Sequence, residues 1–326
     1  DMWKNCYSGI SRANTAIAKI PEIKMNESKK NRLIAEARTL RALYYFNLVR
    51  FFGDVPLILD LKTVEDSKGP RDSKELIYDQ IIEDLTFAEE HLPLRSEYSA
   101  SDEGRINKGA AKILFGKVYL TKGDFQKAKD KLAEVVEHES EYGFGLHKDY
   151  HANWLRDTEA GIEAVLYIEY KEPPFQHNGE MALAGPKYSI PGSLGISALN
   201  EADIPTQELY DQFDNRDLRK KTNFKTEFAH LKTGEILKSS IPLSGKFWVE
   251  GLETGDRCDV NMHIIRYADA ILMYAEALNE VGKSTKALAM LNRIRERAFG
   301  DDSGNFKPMS KDEFRTAILN ERRLEF

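Results

Sequence analysis

The chain has 326 residues, 31% of them charged, and a net charge of −6. That length supports a large core and leaves room for two domains. No basic stripe is present to release counterions, so nucleic acid is excluded as a partner, and the acidic balance reads as solubility. Apolar runs such as 51–61 are broken by Asp54 and Pro56, far short of the ~20 residues a membrane span needs.

No basic-then-apolar start marks a signal peptide. The chain starts inside the helical pattern of residues 1–20 and stops directly after that of 314–325, with no capping or turn residues at either end. It is expected to be a fragment of a longer protein, with targeting information outside it. Cys6 and Cys258 are too few for a disulfide framework or a zinc site and are expected as buried free thiols.

Trp3, Tyr7, Ile10, Ala13, Ala16 and Ile17 recur at helical spacing, and Pro21 stops the helix. Asn26 or Ser28 caps a second helix that reaches Phe52. Within it Leu33, Ala37, Leu40, Tyr44, Leu48 and Phe51 predict the buried stripe, with Arg38, Arg41 and Tyr45 on a second, polar one. Gly53 is placed for a C-cap, and Pro56 forbids resumption. After a polar loop, Ser73 caps a helix over 75–92 with Ile77, Ile81, Leu85 and Ala88 inward.

Residues 108–138 carry the clearest supersecondary signal. Phe115, Gly116, Tyr119, Ala128, Leu132 and Val135 predict two helices around a turn at Lys122-Gly123-Asp124, with Gly116 and Ala128 allowing close approach. This matches the tetratricopeptide repeat, a helix pair of about 34 residues. The pattern returns at Tyr274, Ala275, Leu278, Gly282, Ala287, Leu291 and Ile294. Such pairs cannot bury their faces alone and must stack, so the earlier helices read as further units of one array.

From about 139 to 261 helical periodicity weakens. AVLYIEY at 164–170 predicts a buried strand, Gly185-Pro186 and Pro191-Gly192 predict turns, as does Pro173-Pro174, and a short helix spans 206–213. Trp248 falls in an extended context. The expected organisation is one intertwined domain: helical scaffold over 1–138, an irregular insertion over 139–261 that binds ligand, and scaffold again over 262–326. Long loops in a compact chain are functional or disordered, and the aromatic content argues against disorder.

Four blocks resemble signatures of the SusD/RagB family: EARTLRALYYFNLVRFFGDVPLIL at 36–59, IPTQELYDQFDNRDLRKKT at 204–222, RYADAILMYAEALNEVG with ALAMLNRIRERA over 266–298, and NERRLEF at 320–326. The resemblance implies a mainly α fold of tetratricopeptide-like stacked helix pairs, with an irregular, partly β and loop-rich insertion. It implies a non-catalytic lipoprotein, cell-surface exposed on the outer membrane. Such a protein captures a nutrient, above all an oligo- or polysaccharide, and passes it to a SusC-like TonB-dependent transporter. The only membrane contact implied is a lipid anchor outside this chain, and family members continue past the point where this chain stops. The alternative is a tetratricopeptide-type protein-interaction scaffold without small-ligand binding.

Sugars bind through flat aromatic faces against the ring, with amides, carboxylates and guanidinium groups at the hydroxyls. The insertion offers Tyr150, Trp154, Tyr170, Phe175, Tyr188 and Trp248 as platforms, and Asn153, Arg156, Gln176, Asn178 and Lys246 as polar partners. Trp154, Trp248, Tyr188, Tyr150, Asn153 and Arg156 are the candidates, with Trp154 favoured because Asn153 and Arg156 flank it. Core packing competes for every one of these aromatics. No G-x-S-x-G, P-loop or G-x-G-x-x-G occurs. The histidines are scattered: His147 and His151 share helical spacing but lack a third ligand. Asp214, Asp217, Asp256 and Asp259 could supply a carboxylate pair but read better as charged turns. No catalytic residue, metal or cofactor is expected. Arg38 or Arg41 is expected to pair with a carboxylate of the 266–282 block or the 320–326 helix, because a buried charge needs a partner.

Overall fold

The computed structural model describes residues 2–60, 69–171 and 179–326. The chain forms two compact units, Asp1–Gly143 and Phe144–Phe326. No helix among the described residues is long and apolar enough to cross a membrane.

The first unit is helical: α1 (Met2–Lys19), α2 (Glu27–Phe52), α3 (Lys74–His91), α4 (Lys108–Lys122), α5 (Phe125–Val136) and the single turn α6 (Glu139–Tyr142). Side chains of Asn26, Ser73, Asn107 and Asp124 accept N–H groups of the first turns of α2 to α5, donors that would otherwise be unpaired. Gly53 ends α2 with φ 68° and ψ −122°, a conformation that side chains disfavour.

Helix α2 packs on both α1 and α3, and that corrects the predicted stripe. Two neighbours widen the buried surface to Ala35, Thr39, Arg41, Ala42, Tyr45, Phe46, Leu48 and Val49, while Leu40 and Phe51 are exposed. The buried Arg41 grips Asp84 of α3 with Nε and Nη2 at 2.8 and 2.7 Å, and its Nη1 reaches Asn14 of α1 at 2.8 Å. Arg38 lies 3.5 Å from Glu83 and 3.7 Å from Asp84. The expected pairing to the later blocks is therefore corrected: these arginines bond to α3. Sequence shows that Arg41 needs a carboxylate but not which one.

Helices α4 and α5 form the predicted hairpin around Gly123, at φ 79°. A Cβ on Gly116 would sit 2.5 Å from Leu132 Cγ, so glycine is what lets the two helices close.

In the second unit β1 (Ala164–Ile168) is followed by α7 (Glu180–Ala184), α8 (Gln207–Gln212) and α9 (Arg219–Asn223). Then come β2 (Phe224–Ala229), β3 (Ile236–Ser244), β4 (Met262–Arg266), α10 (Tyr267–Glu280), α11 (Ser284–Phe299) and α12 (Lys311–Glu325). Strand β1 pairs antiparallel with β4, placing Ala164 opposite Arg266, and β2 pairs antiparallel with β3. The irregular stretch is thus tied by backbone bonds to the strand that feeds α10. Helices α10 and α11 repeat the α4–α5 solution, with Gly282 at φ 77° and Tyr274, Ala275, Leu278, Ala287, Leu291 and Ile294 all buried.

A buried ion network joins these elements. Glu163 before β1 accepts from Arg266 at 2.6 Å and Arg297 at 3.0 Å. Glu325 of α12 accepts from Arg266 at 2.8 Å, Arg297 at 2.6 Å and Arg219 at 3.0 Å. Arg219 also holds Asp217 and Glu321, each at 2.7 Å, and Glu321 meets Arg295 at 2.7 Å. Burial works to raise the Glu325 carboxyl, but Arg297, Arg266 and Arg219 outweigh it and hold it well below the usual carboxylate range.

Removing one partner of either network strands a buried charge. Arg41→Ala and Glu325→Ala are each expected to cost about 3–5 kcal/mol, read by urea unfolding, whereas a surface pair such as Lys19–Glu22 is worth under about 1 kcal/mol.

Candidate functional site

The structure divides the sequence candidates into two groups. Tyr150, Asn153 and Trp154 are buried; Trp154 is 6% exposed and Asn153 fully enclosed. Tyr150 and Trp154 meet edge to face at 4.7 Å in a cluster with Met181, Cys258 and Val260. The Tyr150 hydroxyl lies 2.8 Å from the Glu325 carbonyl, and Arg266 lies over both the Tyr150 and Trp154 rings at 5.6 and 5.3 Å. These rings close off the ion network, so in this structure they have no face to offer a ligand. Contacts from distant parts of the chain bury a turn that looks loop-like in sequence. Arg156 is exposed, with Nε 2.6 Å from Asp259. Phe175, Gln176 and Asn178, and the Pro173-Pro174 turn, lie outside the described residues.

Tyr188 and Trp248 form the second group. Trp248 is half-buried, meets Phe228 edge to face at 4.8 Å and donates from Nε1 to Glu250 at 2.9 Å. It packs on the cluster of Ile190, Leu194, Leu199, Phe228 and Leu243. Ile190 seats the neighbouring Tyr188 loop on that same cluster. The Tyr188 ring is 77% exposed, with Lys187 Nζ 5.3 Å from its centroid.

An exposed aromatic alone carries little information, but the backbone beneath this one is fastened. Glu201 Oε2 accepts the N–H groups of Lys187 and Tyr188 at 2.6 Å and of Ser189 at 3.0 Å. Ser189 is bonded to β3, its carbonyl accepting Ser240 N–H at 2.8 Å and its Oγ accepting Ser239 Oγ–H at 2.8 Å. Ala198 and Glu201 have φ 60° and 52°, a region side chains rarely occupy. Strain of this kind collects at binding sites, where the surrounding structure over-determines it. Sequence reading singles out Tyr188 as a candidate but not Glu201, whose bonds span twelve to fourteen residues and carry no local signature.

A cleft of about 310 Å³ in this unit sets Glu180 and Asp203 among Lys246, Phe247, Arg323 and Phe326. In the first unit a cavity of about 280 Å³ is lined by Trp3, Tyr7, Asn14, Pro56 and Ile58. Among the described residues no three His, Cys, Asp or Glu side chains gather as a metal site requires. Asp214, Asp217 and Asp259 pair with Arg216, Arg219 and Arg156 at 2.7, 2.7 and 2.6 Å. Burial pushes the Glu159 carboxyl up to about 7, and Asp259 adds to this. That group bonds Asn261 N–H at 2.8 Å and lines neither cavity.

Comparison with known proteins gives this architecture a family. A family model described as "SusD family" matches residues 240–326, and one described as "Starch-binding associating with outer membrane" matches residues 1–120. "SusD-like protein P2" of Formosa agariphila is 31% identical over 99% of the chain, and the match covers 68% of that relative. The chain belongs to the SusD family. Its fold follows solved SusD structures. A SusD superfamily protein from Parabacteroides distasonis superposes with a TM-score of 0.84 at 28% identity, over 99% of this chain and 71% of that one. A laminarin binding SusD-like protein superposes with a TM-score of 0.80 at 29% identity, over 99% of this chain and 74% of that one. The helix pairs with their small sheets are therefore the SusD arrangement, which agrees with the four sequence blocks.

A core role for Trp154 has a measurable consequence. Trp154→Ala is expected to destabilise the fold by about 3–5 kcal/mol in urea unfolding, as large core truncations do. Loss of ligand affinity without loss of stability would contradict the placement.

Proposed function

We propose that this chain is the non-catalytic binding portion of a cell-surface lipoprotein of the outer membrane. In this reading it captures an oligo- or polysaccharide and passes it to a SusC-like TonB-dependent transporter. The observation that carries the reading is the exposed Tyr188 ring on its fastened loop, in a SusD-family chain. A flat ring held in water suits the apolar face of a sugar, and the half-buried Trp248 nearby in the same cluster is a second platform. Glycan as the ligand class is supported by a relative described as laminarin binding, 29% identical over 99% of the chain. The outer-membrane setting is supported by the family description that matches residues 1–120. Binding without bond cleavage is what the family resemblance implies. The lipid anchor and the transporter rest on the family resemblance.

A protein-interaction scaffold is the second reading. It is favoured by Phe51 and Phe52, both exposed at the end of α2, with Trp3 edge-on to Phe52 at 5.0 Å.

Calorimetry on a polysaccharide panel that includes laminarin and soluble starch tests the first reading. At least one polysaccharide is expected to bind, with thin-layer analysis showing no released products. Tyr188→Ala is expected to weaken binding by about tenfold, the loss of about one aromatic contact. Failure of the whole panel would overturn the glycan reading in favour of the scaffold or a non-glycan nutrient, and released oligosaccharides would make the protein a hydrolase.

A further inference from the structure

Three amides converging on one oxygen make a concave anion nest, and here the occupant is the protein's own Glu201. Burial works to raise this carboxyl, but the amides of Tyr188, Lys187 and Ser189 outweigh it and hold it below its ordinary value. Glu201 reaches the nest from a backbone at φ 52°, and its neighbours are locked in place. Asn200 N–H bonds the Ala182 carbonyl at 2.7 Å, and Ala202 and Asp203 N–H bond the Leu183 carbonyl at 2.7 and 3.0 Å. Helix α7 therefore holds the strained segment, Glu201 carries the constraint across to residues 187–189, and Ser189 passes it on to β3.

The carboxylate is spent on the backbone N–H groups of 187–189 and the Ser189 side chain, next to a residue that is 77% exposed. A ring on a loose loop would have to be ordered when ligand arrives, and that ordering would be subtracted from affinity. Here the loop is ordered beforehand. We propose that Glu201 is a positioning residue. Its carboxylate fixes the backbone of residues 187–189 so that Tyr188 meets the sugar in one orientation, and it acts through Tyr188 without touching the ligand. This rests on the reading of Tyr188 as a platform.

Two measurements on the full chain test it, using Glu201→Ala and the isosteric Glu201→Gln, each with Tyr188 present and with Tyr188→Ala. Glu201→Gln carries the test if Glu201→Ala does not fold. The first measurement is trypsin cleavage after Lys187 without ligand. It is expected to quicken about tenfold in Glu201→Ala and less in Glu201→Gln, whose amide oxygen still accepts. The second is calorimetric affinity for laminarin, or for soluble starch if that binds better. Affinity is expected to fall about fivefold with Tyr188 present and to stay unchanged in the Tyr188→Ala background, the mark of residues acting as one unit. Equal losses in both backgrounds overturn the proposal, since Glu201 would then act on the ligand or on the fold at large. Unchanged cleavage overturns it too. If Tyr188→Ala alone leaves affinity intact, the platform reading fails and the proposal falls with it. Additive losses beside a harmful Tyr188→Ala defeat the proposal and leave the reading standing.

Discussion

Glu325 is shared by three guanidinium groups, and most of the second unit is arranged to make that sharing possible. Arg219 comes from α9, Arg266 from the end of β4 and Arg297 from α11, while Glu163 before β1 closes the ring from the other side. Counting Arg295, Asp217 and Glu321, the network holds four guanidinium groups and four carboxylates, so its charge balances. Balance matters because desolvating an unmatched charge costs several kcal/mol. A network of this kind is weak as a source of net stability, since well-packed apolar groups would do as well. What it does is tie α12, α11, β4 and α9 to one another through shared partners.

That constraint explains the aromatics around it. Tyr150 and Trp154 cover the guanidinium groups and keep water out, which strengthens every pair inside. The exposed Tyr188 lies two residues before Ile190 of the other hydrophobic cluster, on a loop secured by amide-to-carboxylate bonds. The first unit uses the same device on a smaller scale, with Arg41 clasping Asp84 and Asn14 across three helices.

Much of the scaffold was legible because its rules are local. Caps at Asn26 and Ser73, the turn glycines 123 and 282, and the paired repeat over Phe115–Val135 and Tyr274–Ile294 depend on neighbours within a few residues, and each lies where the spacing puts it. The stripe on α2 misled because periodicity reveals one apolar face, and a helix between two partners buries two. The partner of Arg41 and the burial of Trp154 depend on contacts over 43 and more than a hundred residues, which no window of sequence contains. Glu201 was invisible for a sharper reason. Its role depends on a backbone conformation that its residue type disfavours, so a propensity-based reading points away from it.

The central claim is that the buried rings hold the frame while Tyr188 meets the ligand. Hydroxyl-radical footprinting with mass spectrometry, run with and without saturating polysaccharide, addresses it residue by residue. Ligand is expected to protect Tyr188 strongly while the low reactivity of Tyr150 and Trp154 stays unchanged. Protection at Trp154 with none at Tyr188 would contradict the account.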